Sequence, residues 1–134
     1  MRKFTPRPYQ ALIIDAILSR KRIAIWAGMG MGKTVSTLTA IRIAQTMGEG
    51  PALVIAPVRV AQSSWPDEVE KWDHLRGLTY SVAVGSESQR KAALLQRASV
   101  YIINRENVQW LVEDSGLPFD YDMVAVSYTH LRAH

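Results

Sequence analysis

Short apolar runs alternate with segments of helical periodicity along most of the chain. Five runs are apolar along most of their length, as expected for strands buried on both faces of a parallel sheet: residues 23–26, 52–56, 79–84, 100–104 and 122–126. Between and before them, apolar residues recur at helical spacing in segments 8–20, 33–47, 58–72, 87–97 and 105–112. This alternation predicts an α/β fold with a mainly parallel sheet and flanking helices.

Local signals refine two of the predicted helices. Gly48, followed by Gly50 and Pro51, predicts the end of the helix that begins at residue 33. Ser64 is a plausible N-cap just ahead of Pro66, so segment 58–72 is expected to break there and start again. Trp65 and Trp72 are seven residues apart, and this spacing favours one core-facing stripe over a pair of base-stacking platforms.

Composition agrees with a globular domain and excludes several classes of protein. The 134 residues are 48% hydrophobic and 21% charged, and no apolar run approaches the roughly 20 residues of a membrane span. Cysteine is absent, which excludes disulfides and thiolate metal sites and fits a reducing compartment. The net charge of +4 permits a polyanionic partner without requiring one.

The segment after the first apolar run has the pattern of a phosphate-binding loop. It has the looser form [AG]-x-x-x-x-G-K-[ST] and consists of Ala27, Gly28, Met29, Gly30, Met31, Gly32, Lys33 and Thr34. Its glycines let backbone N–H groups approach a polyphosphate, and the following helix directs its positive end at the same anion. We expect Lys33 to contact the β and γ phosphates of ATP and the Thr34 hydroxyl to bind magnesium.

Three further segments, in this order around the loop, resemble the first RecA-like domain of superfamily 2 helicases, and within them the Swi/Snf-related ATPases found in bacteriophages. Residues 4–10 look like the Q motif of that family, residues 52–60 are similar to motif Ia, and residues 101–107 resemble a strand end that lies along nucleic acid. The resemblance covers residues 4 to 126.

The resemblance implies a role for several side chains. It places the Gln10 amide on the adenine edge, where a carboxamide offers one donor and one acceptor. It places Pro57, Arg59, Asn104 and Arg105 on the sugar-phosphate backbone of DNA, which is expected to be double-stranded. From the residues alone, each of these roles has an alternative. Gln10 could be an exposed glutamine at the start of a helix, and Asn104 could cap a helix beside an Arg105 that is simply on the surface.

The chain departs from the family where motif II is expected. An aspartate and a glutamate should follow residue 126, whereas this chain has Ser127 and Tyr128, and neither replaces a carboxylate in metal binding or in activating water. Residues 127–134 resemble a translated sequencing adapter. We therefore expect a helicase ATP-binding domain over residues 1–126, truncated before motif II, and a non-native tail over 127–134.

The resemblance implies the ATP-binding part of a helicase or translocase motor in the cytoplasm of a bacterial or phage-infected cell. We expect this chain to lack ATPase activity, because motif II and the second RecA-like domain of the parent protein are missing. In the family, the strand of motif III lies between the strands at 23–26 and 122–126, so both are expected to lack a neighbour. The alternative is that these two strands pair directly and the chain forms a stable small domain. Two alternatives remain open, a P-loop enzyme of the small-molecule kinase type and a nucleotide-binding module without hydrolysis.

Overall fold

The computed structural model describes the backbone of residues 23–28 and 33–128 and the side chains of residues 34–126. The Q-motif segment, the predicted helix 8–20, the loop residues Met29 to Gly32 and residues 129–134 lie outside the described residues, as does the side chain of Lys33. The predicted α/β class is confirmed, with one parallel sheet between two layers of helical segments.

The strands and helices follow the predicted order closely. The strands are β1 (Ile23–Gly28), β2 (Ala52–Ala56), β3 (Tyr80–Ala83), β4 (Val100–Asn104) and β5 (Met123–Tyr128). Within the described ranges, the α-helices are α1 (Lys33–Thr46), α2 (Trp65–Lys71) and α3 (Glu87–Leu95). Shorter helical turns cover Val60–Ser64, Asp73–Leu75, Arg105–Asn107 and Trp110–Asp114. Gly48 ends the α1 region with a φ of 103°, which a glycine adopts without a steric penalty.

The sheet has the strand order β1-β5-β2-β4-β3, and every described pairing is parallel. Successive residues of a strand point to opposite faces, and the two faces carry separate cores. On one face, Val54 of β2 packs with α1 and with Trp65 of α2. On the other face, the next residue of β2, Ile55, packs with Ile103 and Leu111. Burial on both faces explains why the strands are continuously apolar.

The predicted break at Ser64 is wrong. Ser64 has helical dihedral angles (φ −62°, ψ −45°) and its side chain makes no capping hydrogen bond. The chain instead widens into a π-helical turn over Val60–Ser64 and continues directly into α2. Pro66 has no N–H to donate to the preceding turn, and a wider turn at this point accommodates the missing bond without ending the helix.

The expected gap between the first and last strands is also wrong. β1 pairs directly with β5, from Ile23 with Met123 to Gly28 with Tyr128. Unpaired N–H and C=O groups inside a sheet are costly, and these two strands satisfy each other in the described structure. The sheet is therefore continuous, and β5 extends through Ser127 and Tyr128, two residues that the sequence assigned to a tail.

The loops at the amino ends of the strands are joined by hydrogen bonds. The backbone N–H of Gly50 donates to the Asp122 carboxylate at 2.6 Å, and Gln45 Nε2 donates to the carbonyls of Gly50 and Ser99 at 3.0 and 2.9 Å. A Cβ at Gly50 would lie 2.8 Å from Asp122 Oδ2, so a side chain at position 50 would force the Asp122 carboxylate to shift. These hydrogen bonds hold together the residues just before β2, β4 and β5. They lie at one edge of the sheet, here called the amino edge.

Candidate nucleotide and nucleic-acid site

The opposite edge of the sheet, here called the carboxyl edge, collects the segments that the sequence singled out. Because all pairings are parallel, the ends of β1, β5, β2 and β4 lie side by side there. Neighbouring strands are about 4.8 Å apart, so three steps place the end of β1 about 14 Å from the end of β4. Ala27 and Gly28, the start of the predicted phosphate loop, therefore share one edge with the predicted nucleic-acid residues.

The described part of the phosphate-loop region fits a bound polyphosphate. α1 begins at Lys33, within the last two residues of the loop, and its first turn contains no acidic residue that would repel an anion. Thr34, the second residue of this helix, is half-buried, and its position at the positive helix end is compatible with a hydroxyl ligand to magnesium. ATP and magnesium are thus compatible with the residues present at this point.

The positions of motif II lie beside the start of the phosphate loop. Ser127 pairs with Ala27 and Tyr128 with Gly28, so a carboxylate at either position would be next to the start of the predicted phosphate loop. The nearest acidic residues in sequence, at positions 120 and 122, precede β5 and lie at the amino edge. A strand of six residues such as β5 spans roughly 20 Å, which separates both carboxylates from the carboxyl edge. The carboxylate at 122 also accepts a hydrogen bond from the loop before β2. Neither acidic residue therefore replaces motif II.

The segment after β2 presents Arg59 to solvent. Pro57 is half-buried, and its carbonyl accepts a hydrogen bond from the N–H of Ala61 at 2.8 Å, which starts the helical turn at once. Val58 and Arg59 are exposed on that turn. Among the described residues, no carboxylate lies within ion-pair distance of Arg59. Its guanidinium is therefore free to contact an anion from outside the described protein.

The neighbouring strand β4 ends at the same level, since Asn104 pairs with Ala56 of β2. Asn104 is only 8% exposed, and its carboxamide is engaged inside the protein with Glu106 and Asn107. Arg105 is half-buried and forms an ion pair with Glu106, with Nε 3.7 Å from Oε2. Of the two predicted residues on this strand end, Arg105 is the more exposed.

The two tryptophans do not form one stripe. Trp65 is fully buried in the core, as predicted, but Trp72 follows the last residue of α2 in an extended conformation and is 37% exposed. Its indole N–H donates to the Glu68 carboxylate, and the Lys71 ammonium lies 5.0 Å from its ring centroid. The spacing of seven predicted a shared face only if the helix reached Trp72, and α2 ends one residue earlier.

Sequence reasoning missed Glu106 and Asn107 as members of this site. Both lie in segment 101–107, but in that segment only Asn104, at the strand end, and the cation Arg105 were predicted to have a role. The signal available in the sequence was an acidic residue directly after the candidate cation, followed by a second amide. Such a pattern at the end of a parallel strand is compatible with a local network of side chains.

A cleft of about 480 Å³ lies at the amino edge, far from these residues. The residues that line it include Arg42, Gln45, Glu49 and Ser99.

No helix in the described ranges is long and apolar enough to cross a membrane.

Comparison with known proteins identifies relatives of this chain. A family model described as the SNF2-related domain matches residues 24–134. A curated relative, "Putative protein p41" of Acyrthosiphon pisum secondary endosymbiont phage 1, is 52% identical over 137 aligned residues. That alignment includes 99% of this chain but 30% of the phage protein, so the chain spans less than a third of its relative's length.

Proposed function

Because the chain belongs to the SNF2-related domain family, we propose that it is the ATP-binding part of a DNA helicase or translocase that acts on duplex DNA. The observation that carries this proposal is the common edge of β1, β5, β2 and β4. The end of β1, where the phosphate loop starts, is about 14 Å from the end of β4, and the candidate phosphate-contacting residues Arg59 and Arg105 follow β2 and β4. A motor that couples ATP to movement on DNA needs both kinds of site on one domain.

The nucleotide is held by the loop from Ala27 to Thr34, with Lys33 on the terminal phosphates and Thr34 on magnesium. Gln10 contacts the adenine edge through its carboxamide. Bound magnesium would neutralise charge on the phosphate oxygens. The chain's own contribution is to orient the triphosphate at the positive end of α1, where no acidic side chain in the first turn opposes it.

DNA lies across the ends of β2 and β4 and is contacted through its phosphates. Arg59 is exposed and without an ion-pair partner in the described ranges, and Arg105 extends the same cationic edge. Contacts of this type bind all sequences alike and depend strongly on salt. A cytoplasmic location in a bacterial or phage-infected cell fits such a motor and the phage origin of its relative.

Hydrolysis requires residues that this chain does not carry. The positions beside Ala27 and Gly28 are Ser127 and Tyr128, and the nearby aspartates belong to the other edge. We propose that residues 127–134 are non-native and that the parent protein continues with Asp-Glu and a second RecA-like domain. The test is to express the gene with its genomic continuation after residue 126. ATPase activity that duplex DNA stimulates is expected only in the longer protein, and turnover by the 134-residue chain would contradict this.

The loop itself is tested on the chain as it stands. Lys33→Ala should weaken ATP binding by about 2 to 4 kcal/mol, the cost of removing a charge-assisted contact to a bound anion. Lys91→Ala is the matched control, because Lys91 lies on α3 and pairs with Glu87 at 3.9 Å. Calorimetry that finds equal ATP affinity for wild type and Lys33→Ala would refute the assignment of the loop.

Two other functions remain as outcomes of these tests. A small-molecule kinase would bind ATP through the same loop but would show no response to duplex DNA. A regulatory module without hydrolysis would bind ATP and remain inactive in the longer protein. The exposed Arg59 beside the end of β4 favours the DNA motor over both, because neither alternative needs a cation there.

A further inference from the structure

We propose that Glu106 is a positioning residue that holds Arg105 in the orientation needed to contact a DNA phosphate. This inference rests on the proposed function, since it concerns the same nucleic-acid edge. Nothing in the sequence pattern gave Glu106 a role, and its charge is of the wrong sign for a direct contact with DNA. Its importance comes from the two side chains that it touches.

The Glu106 carboxylate joins the two residues that precede it. Its Oε1 accepts a hydrogen bond from Asn104 Nδ2 at 3.1 Å, and its Oε2 lies 3.7 Å from Arg105 Nε. The oxygen of the Asn104 amide accepts a hydrogen bond from Asn107 Nδ2 at 2.7 Å. The carboxylate is thus anchored on a residue that is itself fixed on both sides.

The anchor is rigid because of where it lies. Asn104 is the last residue of β4 and is buried, so its side chain is held by the sheet as well as by its two partners. A carboxylate that is bound to it projects from a defined point of the carboxyl edge. Asn104 therefore acts on DNA through Glu106 and Arg105, without presenting its own amide.

The orientation of the guanidinium follows from which nitrogen faces the carboxylate. Arginine carries five N–H donors in a planar fork, and here Nε is turned towards Glu106. The two terminal nitrogens form the other end of the plane, and in this proposal they make a bidentate phosphate contact. A lysine or an unheld arginine would not present this fixed pair of donors.

Stability does not explain the pair. The Glu106 side chain is 59% exposed and that of Arg105 28%, and ion pairs of this exposure contribute little to folding. The carboxylate also repels the phosphates of an approaching DNA. Removing it should therefore strengthen binding if charge alone mattered, and weaken binding if orientation matters more.

This opposition of signs makes a sharp test with the 134-residue chain and a short duplex DNA of mixed sequence. Glu106→Gln keeps an oxygen that can accept from Asn104 but removes the charge that orients Arg105. Its affinity should fall roughly 2- to 10-fold, the effect of freeing one long side chain before binding. Glu113→Gln, an exposed residue in the next helical turn, makes the same charge change and should bind as tightly as wild type or slightly more tightly.

A double-mutant cycle separates positioning from a general structural effect. In an Arg105→Ala background, Glu106→Gln should cause no further loss, because no guanidinium remains to be held. Equal losses in both backgrounds, or a Glu106→Gln affinity that matches Glu113→Gln, would overturn the inference while leaving the DNA edge intact. If the wild-type chain fails to bind duplex DNA even at low salt, both the proposed function and this inference are contradicted. If Arg59→Ala lowers DNA affinity and Glu106→Gln does not, the proposed function stands and this inference is overturned.

Discussion

The two edges of this sheet are built from similar polar residues and use them differently. At the amino edge, Gln45, Asp122 and Ser99 use their side chains in hydrogen bonds to neighbouring loops. At the carboxyl edge, Arg59 is exposed and, in the described ranges, unpaired, and Arg105 has one loose ion pair. The difference separates side chains that stabilise the fold from side chains that are available to a ligand, because groups that are hydrogen-bonded inside the protein cannot also contact a ligand.

The largest effect is expected at the amino edge. Asp122→Ala removes a charge-assisted hydrogen bond to the Gly50 N–H and should lower the free energy of unfolding by about 1.5 to 3 kcal/mol. Asp120→Ala, two residues earlier and exposed, should change it by no more than about 0.5 kcal/mol. Urea denaturation of both variants measures this. A loss of DNA affinity in a folded Asp122→Ala protein would show that the two edges are not separate.

The complementary change at the carboxyl edge should affect binding alone. Arg59→Ala should lower affinity for all duplex sequences alike and reduce the slope of log affinity against log salt by about one, as expected for one lost phosphate contact. Its stability should stay within about 0.5 kcal/mol of wild type, because the side chain is exposed. A salt titration of DNA binding and a urea curve together test both statements.

Arg97→Ala is the control for Arg59→Ala. It removes the same charge from an exposed position just before β4, at the amino edge. If both variants reduce the salt slope equally, DNA responds to net charge and not to the carboxyl edge. A loss confined to one DNA sequence would indicate base readout instead.

The smallest effect concerns Tyr80, the first residue of β3, and it depends on pH. Its hydroxyl donates to the Glu70 carboxylate, and this bond, followed by burial and by the negative charges of Glu70 and Asp67, raises the pKa of Tyr80 above its ordinary value of 10.0. A raised folded-state pKa means that the stabilisation is complete below the unfolded value and is lost as pH rises through the folded one.

Tyr80→Phe should therefore destabilise the protein by less than about 1 kcal/mol near neutral pH. The difference from wild type should shrink at alkaline pH, once the wild-type hydroxyl has ionised beside Glu70. Urea denaturation at neutral and strongly alkaline pH measures both values. A difference that grows with pH would mean that the hydrogen bond to Glu70 is not the source of the stabilisation.

The sequence was sufficient for the elements that depend on local pattern. All five strands and α1 appear where the apolar runs and Gly48 predicted them, because burial on both faces leaves a direct signature in the sequence. Ser64 was misassigned as a helix start because serine is suited to an N-cap. In the structure, the helix continues through Ser64, and the next residue, Trp65, is buried in the core. Packing outweighed the local preference there.

Two features were harder to predict because they depend on which distant groups meet. The direct pairing of β1 with β5 was only the alternative prediction, because the family pattern places another strand between them. The network of Asn104, Glu106 and Asn107 depends on the turn that follows β4, which no periodicity describes. The role of the phosphate loop remains a prediction from the sequence.

The place of β5 has a consequence for the order of events during synthesis. It is the last described strand to leave the ribosome, yet it lies between β1 and β2 in the sheet. β2, β4 and β3 can pair as soon as β4 emerges, whereas β1, made first, has no described partner until residues 123–128 arrive. β1 therefore stays unpaired until β5 has been synthesised. This late, long-range pairing slows the last step of folding and leaves the nascent chain exposed to aggregation or to chaperones.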